Sequence, residues 1–285
     1  MAFINYLIHL AILIGIYAML TVSLNLSVGF TGLLNMGHVA FFGIGAYTSA
    51  LLTLAGYPLW VAIPAAALVA GLAGVMLALP TTRLKGDYLA LATLGFTFIM
   101  GSIARNWTGL TRGPLGLPGI PKYVPQNETL LGILVVSVLV ISLVIWWITT
   151  TRFGKTLQAV RDDELAAKML GKNTFGYKVA AMGISALIAG IAGSFFAHYI
   201  SFIDPSIFGI GDLILLFSML IVGGLASVPG SIVGTAIILL IPEPLRFIGF
   251  PSALIGPMRE MLFALILLAI LIYRPKGIFG KVDLQ

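Results

Sequence analysis

Long apolar stretches separated by short polar ones fill this chain. No Lys, Arg, Asp or Glu occurs in residues 1–82, 88–104, 129–151, 179–203 or 213–242. A hydrocarbon layer about 30 Å thick needs about 20 apolar residues per helix, and a backbone in lipid must satisfy its hydrogen bonds within the segment. These stretches therefore predict membrane-spanning helices, singly or in groups.

The predicted fold is all-α: a polytopic transmembrane helical bundle of about nine spans (range about 8 to 10), in one domain covering residues 1–285. The run 130–148 lacks the period-two alternation of a transmembrane β-barrel. Glycine and proline interrupt the uncharged run 213–242 near its middle, so we expect two short helices there, or one span with a re-entrant piece. The expected spans are roughly 5–26, 38–55, 59–79, 88–105, 129–149, 179–202, 211–226, 230–245 and 257–273.

The distribution of charge predicts the orientation of the bundle. The segment from Arg152 to Lys178 holds 9 of the 26 charged residues in 27 positions. Its six basic residues share one predicted side with Arg83, Lys85, Arg274, Lys276 and Lys281, which makes 11 of the 16 Lys and Arg. The positive-inside rule then assigns this side, with the C-terminus, to the cytoplasm. The N-terminus is expected outside, although a re-entrant segment within 27–45 would reverse it.

Composition narrows the class of protein further. The chain is 59% hydrophobic and only 9% charged, with a mean hydropathy of +1.08, which indicates an integral membrane protein. It has no cysteine, and no metal-ligand spacing or nucleophile and base set can be assembled, so we expect no cofactor, no metal and no enzymatic activity. The net charge of +6 fits loops that face anionic lipid better than a nucleic acid partner.

The polar segment has the pattern of a short amphipathic helix in a cytoplasmic loop, 150–178. Glu164 and Lys168 form a favourable i,i+4 pair, and Gly171 suits a left-handed C-cap. The apolar positions of the expected helix are Leu157, Val160 and Ala167 with Met169 or Leu170. From the residues alone, such a helix either docks on a partner or rests on lipid headgroups.

Two further regions have a distinctive composition. Glycines with Asn25, Asn35 and His38 punctuate the first apolar region, which suits a broken helix lining a pathway; capping or interhelical hydrogen bonds are the alternative for either asparagine. The candidate pathway residues are Asn25, Asn35, Gly37 and His38. The Gly/Pro-rich loop 106–128 is either a plain external connector or the contact for a solute-binding protein. Rows of small residues within 186–197 predict close helix packing or a moving seam.

At the polar segment the chain resembles permease subunits of bacterial ABC importers, whose cytoplasmic loop carries a Glu, two Ala and a later Gly. These residues are Glu164, Ala166, Ala167 and Gly171, and the intervening Leu165 is similar to the branched-chain amino acid permeases. Five other blocks resemble that family in order: SLNLSVGFTGLLNMGHVAFFGIGAY (23–47), RLKGDYLALATLG (83–95), LTRGPLGLPGIP (110–121), GGLASVPGSIVG (223–234) and YRPKGIFG (273–280). The external stretch 109–121 is similar to the M-type member of the two paralogous permeases.

The resemblance implies a type II ABC importer-like fold with short broken or re-entrant helices and a cytoplasmic coupling helix. It also implies a bacterial inner-membrane location and import of branched-chain, hydrophobic amino acids by alternating access. The implied partners are a paralogous permease in a heterodimer, two cytoplasmic ATP-binding subunits that hydrolyse ATP, and an external solute-binding protein. The implied ATPase-coupling residues are Arg161, Asp162, Glu164, Ala166, Ala167 and Gly171.

Other classes of function stay open at this point. A stand-alone channel or an ion-coupled secondary carrier would use the polar segment only as a surface helix. Intramembrane charge is nearly absent, which counts against proton coupling, and His38 and His198 suit hydrogen-bonded packing. An ABC permease for urea or short amides is a further alternative, because no residue here distinguishes one small cargo from another.

Overall fold

The computed structural model describes residues 2–84, 86–124, 126–243, 252–274 and 276–280, and these are overwhelmingly helical. A π-helical turn, Leu26–Phe30, continues α1 directly, and a 3-10 turn, Gly113–Leu115, follows α5. The α-helices and strands, in chain order, are α1 Ala2–Asn25, α2 His38–Leu54, α3 Leu59–Thr81, α4 Asp87–Asn106, α5 Thr108–Thr111, β1 Leu117–Pro118, α6 Asn127–Thr150, α7 Arg152–Asp162, α8 Glu164–Met169, α9 Thr174–Ile200, β2 Phe202–Ile203, α10 Ile210–Gly223, α11 Val228–Leu240 and α12 Ser252–Tyr273.

Every predicted span coincides with an apolar helix, although the end of the expected 230–245 span lies outside the described residues. The helices α1, α3, α4, α6 and α9 are long and apolar enough to cross a membrane, and α2, α10, α11 and part of α12 are shorter apolar helices. The protein is therefore a helical membrane bundle. The number of nine spans stays a prediction, because the 14 residues of α10 cover only about 21 Å at 1.5 Å per residue.

The uncharged run 213–242 forms two short helices, as expected. α10 ends at Gly223 and α11 begins at Val228. Between them the backbone has positive φ at Gly224 (103°) and at Ala226 (58°). A Cβ added at Gly234 would lie 2.5 Å from the Gly223 nitrogen. The two helices thus form a close antiparallel hairpin, which we call the α10–α11 hairpin, with its tip at residues 224–227.

Helix α9 lies at the centre of the bundle and packs closely against α2 and α3. Gly45 of α2 meets the backbone of Gly190, and a Cβ added at Gly190 would lie 2.6 Å from that of Ala70 on α3. Small residues let helix backbones approach where lipid offers no hydrophobic drive. The rows of small residues within 186–197 are therefore packing surfaces, and their role as a moving seam stays a prediction.

The predicted basic regions meet at one end of the bundle, which we call the charged end: α7, α8, the π turn Leu26–Phe30 and residues 276–280. The Arg83 guanidinium lies 5.5 Å from the Phe175 ring centroid at the start of α9. Near the C-terminus, the Ile278 nitrogen donates to the Val222 oxygen at 3.0 Å. Lys85 and Lys281 lie outside the described residues. That the charged end faces the cytoplasm stays a prediction.

The Gly/Pro-rich loop 106–128 lies at the other end and is packed against α9 rather than free. Strand β1 pairs antiparallel with β2, with Leu117 opposite Ile203. His198 Nδ1 lies 2.7 Å from the Pro121 oxygen, and the Tyr123 ring stacks on Phe195 at 4.9 Å. The loop is therefore a built surface, and contact with a solute-binding protein stays a prediction for it.

Candidate functional site at the charged end

The polar segment forms two helices instead of the single amphipathic helix that its sequence predicts. Asp163 is extended (φ −154°, ψ 103°) between α7 and α8. Its carboxylate accepts hydrogen bonds from the Leu165 and Ala166 nitrogens at 2.8 and 3.0 Å. Asp is a favoured N-cap residue because its side chain satisfies amide groups at a helix start. The apolar periodicity continues across this break, which is why sequence alone misses it.

The two helices differ in which apolar residues they bury. Leu157 and Val160 of α7 and Ala167 of α8 are buried, as expected. The expectation that Met169 or Leu170 completes this face is wrong, because these side chains are 80% and 78% exposed. After the extended Asp163 these side chains lie in solvent, and Leu165 is exposed with them. The surface formed by Leu165, Met169 and Leu170 is called the α8 apolar surface below.

Glu164 connects α8 to α9 through ion pairs. The predicted pair with Lys168 is confirmed, with Nζ and Oε1 3.0 Å apart. A second lysine, Lys178 of α9, lies 2.5 Å from Oε2 with its side chain only 8% exposed, and the Thr174 hydroxyl donates to Oε1 at 3.2 Å. Sequence reasoning missed Lys178, because its position 14 residues away gives no periodic signal. Burial alone would raise the pKa of Glu164, but hydrogen bonds from Lys178 and Lys168 and the charges of both lysines lower it to about 2.

Gly171 ends α8 in the left-handed conformation that the sequence predicts, with φ 74°. Its nitrogen donates to the Lys168 oxygen at 2.9 Å, and the Lys172 nitrogen donates to the Ala167 oxygen at 3.2 Å. This pair of bonds is the Schellman motif. A Cβ at Gly171 would meet nothing within 4 Å, so the backbone conformation alone calls for glycine here.

Arg161 and Asp162 point in different directions. Arg161 Nη1 donates to the Gly29 oxygen in the π turn at 2.8 Å, and Nε donates to Asp162 Oδ1 at 2.9 Å. The Arg161 side chain is only 15% exposed, whereas Asp162 is mostly in solvent. Of the six predicted coupling residues, Arg161 therefore faces the bundle.

The candidate pathway residue Asn25 holds two parts of the bundle together. It is fully buried at the junction of α1 and the π turn. Its Nδ2 donates to the Ser227 oxygen at 3.0 Å and to Ser231 Oγ at 2.7 Å, and its Oδ1 accepts from the Ala226 nitrogen at 2.9 Å. Interhelical hydrogen bonding, the alternative that its sequence left open, is thus what its side chain does in this structure.

The other candidate pathway residues, Asn35, Gly37 and His38, form the start of α2. Asn35 Oδ1 accepts from the Gly37 nitrogen at 3.0 Å, and His38 Nε2 lies 2.9 Å from Ser23 Oγ on α1. Asn35 and His38 are fully buried. Their Asn35 Nδ2 and His38 Nδ1 atoms have no hydrogen-bond partner among the described residues. The structure therefore joins His38 to α1 and Asn35 to the backbone before α2, and a pathway role for these residues stays a prediction.

A cavity of about 670 Å³ opens beside α7. Its walls come from the end of α6, from α7, from the π turn and from the tip of the α10–α11 hairpin, and they include Lys155, Gln158, Arg161 and Ser227. Lys155 and the N-terminus of α11, which Ser227 caps, make this wall positive, whereas the charge of Arg161 is paired with Asp162. Within the described part of the chain, no group of three His, Asp or Glu side chains could hold a metal ion.

Comparison with known proteins extends the similarity to nearly the whole chain. The family model described as "Branched-chain amino acid transport system / permease component" matches residues 6–271. The chain is 33% identical, over 95% of its length and 69% of the relative, to the high-affinity branched-chain amino acid transport system permease protein LivM of Escherichia coli K12. The chain is also similar to the autoinducer 2 import system permease protein LsrC of Escherichia coli K12 / DH10B, with 27% identity over 90% of the chain and 72% of LsrC.

The M-type prediction agrees with these comparisons. A further relative is LivH of Salmonella typhimurium, which is also named as a permease of the high-affinity branched-chain amino acid transport system. LivH is 24% identical over 94% of the chain and 92% of its own length, whereas LivM is 33% identical. The family model covers far more than half of the residues. The chain belongs to the family of branched-chain amino acid transport system permease components.

Proposed function

We propose that this protein is the M-type permease subunit of an ATP-driven importer of branched-chain amino acids in a bacterial inner membrane. The observation that carries the proposal is the 33% identity to LivM over 95% of the chain. In this proposal the chain forms half of a central pathway with a paralogous permease of the LivH type. It catalyses no reaction itself, and separate ATPase subunits hydrolyse ATP.

The α8 apolar surface is the proposed contact of the ATPase. Leu165 and Met169 project from a helix of six residues and Leu170 from its C-cap, and the ends of this helix are fixed by the Asp163 cap and by Gly171. Exposed apolar clusters rimmed by charges mark protein interaction sites. The rim here contains Asp162 and Lys168, both largely exposed. This arrangement supports a docked partner more than a helix lying on lipid.

The proposed arrangement assigns the two ends of the bundle to different partners. The charged end faces the cytoplasm and binds the ATPases, as the positive-inside rule favours. The loop 106–128, packed on α9, receives the solute-binding protein outside. The fold would then be that of a type II ABC importer with about nine spans and a cytoplasmic C-terminus.

Reconstitution into vesicles tests the proposal. The chain is co-purified with its paralogous permease and ATPase subunits, and uptake of leucine, isoleucine and valine is measured with the binding protein added. We expect uptake that requires both ATP and the binding protein. Uptake without ATPase subunits, or driven by an ion gradient alone, would show a channel or secondary carrier instead.

Cargo identity needs its own control, because one relative of the chain, LsrC, is named for autoinducer 2 import. Urea, a short amide and autoinducer 2 are therefore tested beside the amino acids in the same vesicles. We expect transport of the branched-chain amino acids only. ATP-dependent uptake of urea, an amide or autoinducer 2 in their place would keep the importer and replace the cargo.

A further inference from the structure

The π turn Leu26–Phe30 and Asn25, the residue before it, receive polar contacts from two separate elements. From α7, Arg161 Nη1 donates to the Gly29 oxygen at 2.8 Å. From the tip of the α10–α11 hairpin, Ala226 and Ser227 hydrogen-bond with Asn25, the residue immediately before the turn, at 2.9 and 3.0 Å. A continuous path of contacts therefore runs from α7, across the π turn, to the hairpin tip.

Steric contact reinforces this path at two glycines. Gly32 has φ 73°, and a Cβ there would lie 2.8 Å from Arg161 Cγ. A Cβ at Gly29 would lie 2.5 Å from the Ala226 nitrogen and would overlap Asn25 Oδ1. Three elements thus meet with no room for a side chain between them. Because packed interiors transmit displacement rather than absorb it, a shift of α7 must move the turn or break the contact.

The chemistry of the contact makes it specific to arginine. The carbonyls at the end of a helical turn have no partner within the helix, so that of Gly29 is open to an outside donor. The Arg161 guanidinium is largely buried and offers one nitrogen to this carbonyl and two to Asp162. A charge-assisted hydrogen bond is about twice as strong as a neutral one. The lysine of α7 that lines the same cavity, Lys155, is exposed and lies about 1.7 helical turns before Arg161.

The π turn is an irregular element at the end of α1. Single π turns within α-helices carry one extra residue, and they occur often at functional sites. The hairpin tip is similarly irregular, with positive φ at Gly224 and Ala226. Transport by alternating access requires discrete packings, which a partner can bias.

We propose that Arg161 is a positioning residue that ties movement of α7 to the π turn and, through Asn25, to the tip of the α10–α11 hairpin. This inference rests on the proposed function and deepens it: α8 receives the ATPase, and Arg161 passes the displacement into the bundle. Asn25 then acts within this path rather than as a side chain that contacts the cargo.

The first experiment measures coupling in the reconstituted importer with both permeases, the ATPases and the binding protein. Arg161→Ala removes the donor, and Gly32→Ala displaces the same side chain sterically without changing charge. We expect each to lower the number of amino acid molecules imported per ATP hydrolysed about tenfold, while co-purification of the ATPases is unchanged.

Matched controls separate the contact from general effects. Lys155→Ala removes a charge from the same helix, and Gly56→Ala places alanine at a positive φ of 90° with nothing within 4 Å. Both should keep the coupling ratio of the unsubstituted protein. An unchanged ratio in Arg161→Ala, or an equal loss in Lys155→Ala, overturns the proposal. Lower stability with an unchanged ratio would leave Arg161 a structural role only, which also overturns it.

A second experiment does not depend on cargo. The chain has no cysteine, so spin labels can be placed at Ala159→Cys on α7 and Pro229→Cys beside the hairpin tip. With Arg161 present, we expect the distribution of distances between the labels to keep its mean and its narrow width when ATP binds, because both elements move together. In Arg161→Ala, the mean should shift or the distribution should broaden on ATP binding. The same narrow distance distribution in both proteins contradicts the proposed role of Arg161. Absence of ATP-dependent amino acid uptake in the unsubstituted importer contradicts only the proposed function.

Discussion

Helices α7 and α8 are neighbours in one charged segment, yet they relate to the bundle in opposite ways. Leu157 of α7 is fully buried, and Arg161 turns inward to the π turn. Leu165 of α8 is 66% exposed, and Met169 is more exposed still. The one residue between the helices, Asp163, redirects the chain. Amphipathic spacing is therefore common to both helices, and only the direction of the apolar face differs.

This difference suggests a division of roles within the segment. α7 buries its apolar face in the bundle and is suited to transmit a displacement, whereas α8 is attached to α9 through Glu164 and presents its apolar surface to solvent, where it is suited to bind a partner. The connections that hold α8 are few: the Asp163 cap, the ion pairs of Glu164 and the left-handed Gly171. Substitutions on the two helices should therefore separate stability from assembly.

The largest effect is expected from the same substitution made on each helix. Leu157→Ala removes a fully buried side chain and should lower the free energy of unfolding by about 2–5 kcal/mol. Leu165→Ala should change it by less than about 0.5 kcal/mol and instead weaken co-purification of the ATPase. Unfolding in detergent and pull-down measure the two quantities. Equal losses of stability would contradict the assignment of opposite faces.

The next largest effect on stability is expected from the two ion pairs that Glu164 forms with lysines. Glu164→Gln leaves Lys178, whose side chain is 8% exposed, without its carboxylate and should cost about 1–3 kcal/mol of unfolding free energy. Lys168→Ala breaks only the exposed i,i+4 pair and should cost about 0.3–0.5 kcal/mol. Thermal unfolding of the two variants side by side checks this order. A larger loss in Lys168→Ala would show that α8 is not held through α9.

Substitution of Gly171 tests whether the left-handed end of α8 is needed for coupling. Gly171→Val forces a β-branched residue to φ 74°, at a local cost of about 1–2 kcal/mol, without any steric clash. We expect the bundle to stay folded while uptake falls relative to ATP hydrolysis. Gly171→Asn is the matched control, because asparagine tolerates the left-handed conformation, and it should retain most uptake. Full uptake in the valine variant would remove the loop from the coupling scheme.

The smallest effect near neutral pH concerns the titration of Glu164. Its pKa in the folded protein is about 2, below the ordinary 4.5, so the folded state favours the ionised form. The stabilisation is therefore complete above about pH 4.5 and is lost as pH falls through about 2. The difference in unfolding free energy between the unsubstituted protein and Glu164→Gln should be constant from pH 8 to about pH 5 and shrink below that. A difference that shrinks between pH 8 and 6 would contradict the lysine-bound carboxylate.

Several local features were predictable because their causes are local. The Glu164 and Lys168 pair depends on helical spacing, and the left-handed Gly171 depends on the Cβ that glycine lacks. The break in residues 213–242 was predictable for the same reason, since glycine and proline act on the backbone at their own positions. The partner of Lys178, the inward turn of Arg161 and the exposure of Met169 were not, because each depends on an element distant in sequence or on a helix direction.

The sequence by itself determined that this protein is a helical membrane bundle with one charged segment. The length of each apolar run and the positions of the charges can be read along the chain, and burying a charge in lipid is costly wherever the helices pack. Its motifs also indicated the permease family. Only the tertiary structure decided that Arg161 meets Gly29 and that Asn25 meets the hairpin tip. Those contacts join residues more than a hundred positions apart, and only the packing of whole helices decides which of many similar polar groups meet.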